Sequence, residues 1–273
     1  MNTQGNIPSN IPSKDPAWSV YVQDGHLFVS AGADRVYLVD ELNADEVARF
    51  HSGYQQDAWP ALQQQPAFRA VIEKLVILGA LYYAGPQRDT LRAALRWAGE
   101  PLPALVEWLD LLVSRRRGIE WVDVESAHVD LVLVVRTNAT LQNTSAQSSE
   151  ETRPHLLLDL AYHATLAVGP FVVPGQTACL GCLTGRLMHL WGDMPPPAQP
   201  AMNVHIELAG AVIMAHLETF RTRGTINALV GNTWTLDTET WASRFHPVFR
   251  LPWCPVCAQG RKESETGLLQ GVF

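Results

Sequence analysis

The sequence is short of positive charge. Its 273 residues carry 20 Lys and Arg against 27 Asp and Glu, a formal charge of −7, with a pI near 5.7. No basic excess is left to neutralise a nucleic-acid backbone or an anionic membrane, so neither partner is expected. Long apolar runs are also absent: Leu208 to Leu217, an apolar stretch whose only acid is Glu218 just beyond it, is too short to cross a bilayer and contains His216. The opening MNTQGNIPSNIPSKDP lacks both a basic start and an apolar core, unlike a secretory signal. Residues 1–17 therefore read as a disordered polar tail, and the chain as cytoplasmic. None of the nine histidines stands in an H-x-x-H or H-E-x-x-H pattern, and no Ser-His-Asp arrangement can be inferred. What remains is ordinary globular composition, 47% hydrophobic and 17% charged, long enough for one large domain or two modest ones.

Cysteine is scarce too, but its placement is informative. The only four form two C-x-x-C pairs, Cys179-Leu-Gly-Cys182 and Cys254-Pro-Val-Cys257, more than seventy residues apart. Each short loop can aim two sulfurs at one metal, so two loops complete a tetrahedral shell and zinc is the expected occupant. Pro252 and Pro255 stiffen the second loop. Disulfides, a redox pair or an iron–sulfur cluster are the alternatives. With all four thiols as metal ligands, none remains as a nucleophile.

From Trp18 to Leu42 the chain reads as a β meander, WSVYV, HLFVS and RVYLV, punctuated by Asp24-Gly25 and Gly32-Ala33-Asp34. Asn43 is a candidate N-cap for a helix ending near Gly53, a short helical piece follows at 58–64, and Pro66 opens a third helix. On that helix Phe68, Val71, Ile72, Leu75 and Gly79 recur at three- and four-residue spacing, and Gly85-Pro86 ends the run. Residues 18–86 thus outline a winged helix-turn-helix.

Beyond it, 87–273 read as α/β. Gln87 to Arg117 suggest two helices; IEWVDV, DLVLVV and HLLLDLAY suggest buried strands; and Asn138 to Arg153 suggest a mobile loop. AVGPFVVPGQTACLGC reads as a hairpin delivering the first cysteine pair. WGDMPPPAQPAMN is a Pro-rich crossing, and IELAGAVIMAHLETF a helix with small residues for close packing. Two β segments then lead to the second cysteine pair.

GPFVVPGQTACLGCLTG and FRLPWCPVCA, in that order with strands and an Ala/Gly-rich helix between, resemble the ThiF/MoeB-like adenylating superfamily. The resemblance implies a Rossmann-like domain over roughly 119–259 with a structural zinc on Cys179, Cys182, Cys254 and Cys257. Two departures bear on activity. No G-x-G-x-x-G loop cradles phosphate, and Arg136-Thr137-Asn138 stand where the family carries a metal-binding acid. The helices expected at 87–117 would replace the first part of the Rossmann unit, and no nucleotide is expected in this chain.

A degenerate adenylating-like domain behind a winged-helix module is similar to the leader-binding subunits of azole-forming cyclodehydratases, the McbB-type component of microcin synthetases. That resemblance implies a non-catalytic scaffold. It would capture the leader of a ribosomal precursor peptide and present the core to a YcaO-type partner that uses ATP to form thiazoline and oxazoline rings. A flavin dehydrogenase and a second copy of the chain are possible further partners. Carried onto this sequence, the leader would lie along Arg35, Val36, Tyr37, Leu38 and Val39, with Phe68, Ile72, Leu75 and Tyr82 lining the other side of the groove. The alternative for those side chains is the module's own core. An active enzyme adenylating a peptide carboxyl terminus, or a winged-helix regulator, are the alternatives for the whole.

Overall fold

The computed structural model describes residues 11–32, 34–83, 89–192 and 205–259. The chain divides into two compact units, Met1–Pro86 and Gln87–Phe273.

In the first unit β2 (Trp18–Gln23), β3 (His26–Ala31) and β4 (Arg35–Val39) form an antiparallel sheet in that order, after a short β1 (Pro12–Lys14). Asp24 and Gly25, both at positive φ, make the two-residue turn that sets Gln23 opposite His26. Asn43 caps α1 (Ala44–Gln55) as expected: its side chain accepts from the Glu46 amide while Glu46 accepts from the Asn43 amide. Then come α2 (Trp59–Gln63) and α3 (Pro66–Leu78), with Pro66 in the first turn. Two details differ from the sequence reading. Helix α3 ends at Gly79, left-handed at φ 86°, and β5 (Leu81–Tyr83) follows, so Tyr82 belongs to a strand. β5 pairs with β1, placing Pro12–Lys14 in a sheet rather than a loose tail. Lys14 holds that pairing down: its Nζ lies 2.9 Å from Asp57 and 4.6 Å above the Tyr54 ring. Phe50, Phe68, Ile72, Leu75, Leu27 and Val29 close the core.

The second unit carries a seven-stranded sheet. Its parallel half is β6 (Leu91–Ala98), β7 (Ile119–Trp121), β8 (Leu131–Arg136) and β9 (His155–Asp159). Its antiparallel half is β10 (Thr165–Val172), β11 (Asn232–Asp237) and β12 (Ser243–Pro247), the spatial order being β12-β11-β10-β9-β8-β6-β7. Every residue of β8 and β9 is buried, which explains their unbroken apolar runs.

Here the structure corrects the sequence reading three times. Residues 87–117 hold β6 and a single helix, α4 (Pro103–Ser114), so the first β-α-β unit is retained. LRAALRWA has helix-forming residues, but its place between β7 and β8 buries Leu91, Ala93, Ala94 and Ala98 and makes a strand of it. The 138–153 segment is not a loose loop: Thr140 caps α5 (Leu141–Ser148), and the helix is tied down by Glu151, which meets Arg153 at 2.6 Å and Arg96 at 3.1 Å. Burial disfavours the Glu151 charge, but the Arg153 hydrogen bonds hold its carboxyl below the usual range. That stabilisation is present above the unfolded carboxylate pKa and is lost as pH falls through the lowered one. Finally, Cys179 and Cys182 sit at the start of a helix, α6 (Leu180–Trp191), which follows β10 across a short turn.

Helix α7 (Ile206–Arg223) packs on α4; of the small residues expected to allow close approach, Ala209 and Gly210 are buried, whereas Ala211 and Ala215 are exposed. A Cβ on Gly210 would come 2.4 Å from Trp108 Cδ1, whose indole N–H also donates to the Glu207 carbonyl. Gly210→Val is expected to cost about 1–3 kcal/mol by overpacking, seen as a lower urea midpoint with an unchanged slope. The Pro-rich crossing lies outside the described residues.

Candidate metal centre and peptide-binding edge

The loop after β10 and the segment after β12 bring both cysteine pairs together. Cys179 caps α6 and Cys182 lies in its first turn; Cys254 precedes α8 (Pro255–Gln259), which contains Cys257. The sulfurs stand 3.8 Å (Cys179–Cys182), 3.5 Å (Cys179–Cys254), 3.4 Å (Cys182–Cys257) and 3.3 Å (Cys179–Cys257) apart. Four sulfurs about 2.3 Å from a zinc ion define a tetrahedron with edges of about 3.8 Å, so the cluster has nearly the required size. All four are buried, and none is in a disulfide.

The surroundings suit thiolates. The Leu251 amide donates to Cys182 Sγ at 3.3 Å, and helix α6 presents its positive end to the cluster. As bare thiols the four are in conflict. Hydrogen bonding with Cys182 and Cys257, together with burial, drives the Cys179 pKa up, whereas hydrogen bonding with Cys179 and Cys182 pulls Cys257 down to about 3. A divalent cation resolves the conflict by taking all four as thiolates. Gly181 lets the two clips meet: a Cβ there would stand 3.1 Å from Cys254 Sγ.

The second site is the edge of the small sheet. In a two-residue turn the flanking pair exchanges both hydrogen bonds, so Gln23 and His26 are such a pair. Counting along the register, Leu27, Val29 and Ala31 bond to Val39, Tyr37 and Arg35, which leaves the amides and carbonyls of Val36 and Leu38 facing outward. Val36 and Leu38 are also exposed in side chain, as are Arg35 and Tyr37, and Tyr37 stacks on Trp18. Val39 is buried.

The other wall is not the one the sequence suggested. Phe68, Ile72 and Leu75 are each at most 1% exposed and belong to the core, and Tyr82 is half-buried on β5. A helix in a two-layer module must turn its apolar stripe inward, so the same periodicity that identifies it also hides it. The face of α3 turned toward the end of β4 is marked by Lys74, which bonds Glu41, itself held below the usual carboxylate range by that contact. Ala70 and Ile77 share this face at helical spacing, and Ile77 is 85% exposed.

At the carboxyl ends of the parallel strands, where an open α/β sheet binds ligands, side chains of this chain fill the space. The Gly99 backbone lies at φ 107°, and a Cβ there would meet Asn138 Oδ1 at 2.3 Å. Asn138 Oδ1 accepts the Glu100 amide at 2.7 Å, while Thr137 Oγ1 donates to the Glu100 carbonyl at 2.8 Å. The loop after β6 is thus stitched to the loop after β8. Beside it Arg136 donates to Asp159 Oδ2 through Nε and Nη2 at 2.9 and 2.7 Å, to the Ala139 carbonyl through Nη1, and lies 5.2 Å over the Tyr162 ring. Asp159→Ala would leave a buried unpaired guanidinium and is expected to lower stability by about 3–5 kcal/mol in urea unfolding. The Arg136–Asp159 pair is not among the features read from the sequence. The available signal was that Arg136 and Asp159 both close apolar strands, which their parallel register sets side by side.

Among solved structures the chain aligns with a heterocyclase in complex with substrate and cofactor at 17% identity and a TM-score of 0.52, covering 93% of this chain and 40% of the other. It aligns with E. coli MccB at 10% identity and a TM-score of 0.52, covering 90% and 96%. The chain has the fold these proteins share. It spans about 40% of the length of the heterocyclase. No family model and no curated protein matches.

Proposed function

We propose that this chain is a non-catalytic subunit of an azole-forming, peptide-modifying synthetase, in which the first unit is a winged-helix-type peptide-recognition module and the second a degenerate adenylating-type domain. The outward amides and carbonyls of Val36 and Leu38 carry the reading. An open antiparallel edge binds an extended peptide by adding it as a strand, and the side chains along it confer selectivity. The leader of a ribosomal precursor would lie along Arg35–Leu38, with Ala70 and Ile77 of α3 opposite in place of the buried Phe68, Ile72 and Leu75. The core peptide would then be presented to a YcaO-type, ATP-using partner, with a flavin dehydrogenase acting afterwards.

The stitched Gly99–Asn138 loops and the Arg136–Asp159 pair support a scaffold role, since at the carboxyl ends of the parallel strands the backbone and polar groups of these loops are engaged with one another. Zinc on Cys179, Cys182, Cys254 and Cys257 would be structural, fixing α6 against the closing loop. Capture by one subunit raises the effective concentration of substrate at another, which is the catalytic contribution such a scaffold makes. Reconstitution tests this. Precursor, YcaO-type partner and ATP should yield one lost water per ring by mass spectrometry when this chain is present and far less when it is omitted. Equal ring formation without it would rule out the scaffold role.

A further inference from the structure

Among the described residues the most exposed strand is β12, at the far edge of the large sheet. All five residues Ser243–Pro247 are exposed, so among the described residues neither face of the strand is covered and only one edge is paired. Phe245 lies on it and Phe249 and Trp253 follow it in the chain, exposed by 57%, 61% and 78%. Solvent is a costly environment for such a group of aromatics, and clusters of this kind mark interaction surfaces. Trp241, in the turn before β12, is exposed while its backbone is held at φ 60°, a conformation that a bulky side chain adopts only at some cost.

Charge specifies the occupant. Between Trp241 and Trp253 there is no Asp or Glu, although the whole chain is acidic, and Arg244, His246 and Arg250 fall within that stretch. Arg186 joins them from α6: its guanidinium lies 4.9 Å over the Phe249 ring, and its Nε is buried without a hydrogen-bond partner. Two acids precede β12: Asp237 accepts the Glu239 and Thr240 amides in the turn and feels the positive charge of Arg244, and Glu239 is exposed.

Backbone parity limits how the occupant binds. The Asp237 amide donates to Ala242 and the Val248 amide to Gly231, so residues 242, 244, 246 and 248 bond to β11. Ser243, Phe245 and Pro247 face outward, and Pro247 has no N–H to give. The edge therefore offers two donors and three acceptors, enough for a short strand and too few for an extended one. A second copy of this chain fits poorly. Two-fold pairing centred on Phe245 would set Arg244 opposite the partner's His246, beside a second such pair.

We propose that the β12 edge is a docking surface for a short acidic segment of a partner protein that alternates carboxylate with apolar side chains. Carboxylates would meet Arg244 and Arg186, and the apolar side chains would meet Phe245, Phe249 and Trp253; arginine and aromatic groups of this kind dominate protein interfaces. The proposal is independent of the peptide edge on β4.

The test uses the full chain with its metal and two synthetic peptides, one alternating Glu with Leu and its Lys-for-Glu counterpart, together with an oligothymidine. The acidic peptide should bind with an affinity that falls as salt rises, and should slow hydrogen exchange at the Ser243 and Phe245 amides. Arg244→Glu and Trp253→Ala, checked for unchanged zinc content and circular dichroism, should each weaken it by about tenfold or more. Four outcomes would overturn the proposal. They are equal binding of both peptides or of neither, preference for the oligonucleotide, self-association that Phe245→Glu abolishes, and protection of the same amides in the free chain that deletion of residues 260–273 removes.

Discussion

Cys182→Ser and Cys254→Ser are each expected to strip the metal from the protein and unfold its second unit. The four sulfurs are buried in the space between α6, α8 and the loop after β12, with Val132, Val134, Leu157 and Val172 of the large sheet in the same apolar cluster. Metal binding at such sites contributes folding free energy on the order of 10 kcal/mol, comparable with the whole stability of a domain. Losing one thiolate leaves three others crowded in a buried cluster with no cation to balance them. Metal analysis should find one zinc per wild-type chain and none in either variant, and near-ultraviolet circular dichroism of the variants should collapse. A variant that kept its tertiary spectrum without metal would show that the cysteines are mere packing. Gly181→Val should act in the same direction, because the added side chain intrudes on Cys254 Sγ without removing a ligand.

Leu38→Pro is expected to weaken capture of the precursor about tenfold or more while leaving the module folded. The substitution removes an amide that points away from β3, so the sheet's own ladder keeps its bonds and only the incoming strand loses a donor. Leu75→Ala should do the reverse. It opens a cavity in a fully buried position, costing about 2–5 kcal/mol in urea unfolding, yet the folded fraction should bind peptide with wild-type affinity. If Leu75→Ala lost affinity and Leu38→Pro did not, the peptide would be lying over the helix and not along β4.

Much of the architecture was legible in the residues, for reasons that also explain the failures. The meander was visible because Asp24-Gly25 forces a tight turn between alternating strands, and α1 because Asn43 and Glu46 form a reciprocal cap. The metal centre was visible because two C-x-x-C loops have few other uses in a chain with no further cysteine. What failed were segments whose local preference opposes their tertiary place. LRAALRWA is composed for a helix and is a strand because the sheet buries it on both sides of its pairing. LQNTSAQS is polar enough for a loop and is a helix because Thr140 caps it and Arg96 reaches Glu151 beyond its end. The groove residues on α3 failed differently. Periodicity located the apolar stripe correctly but carries no information about which neighbour covers it, and the core does.

The proposed function has an adenylating-type fold, held by metal, serve peptide capture in place of nucleotide chemistry. Its most direct test is a competition titration: fluorescent full-length precursor against the intact chain, with unlabelled leader or unlabelled core as competitor, with and without ATP and magnesium. Leader alone should displace the precursor completely, core should not, and ATP should change nothing. Displacement by core alone, or capture that appears only when ATP is added, would contradict it.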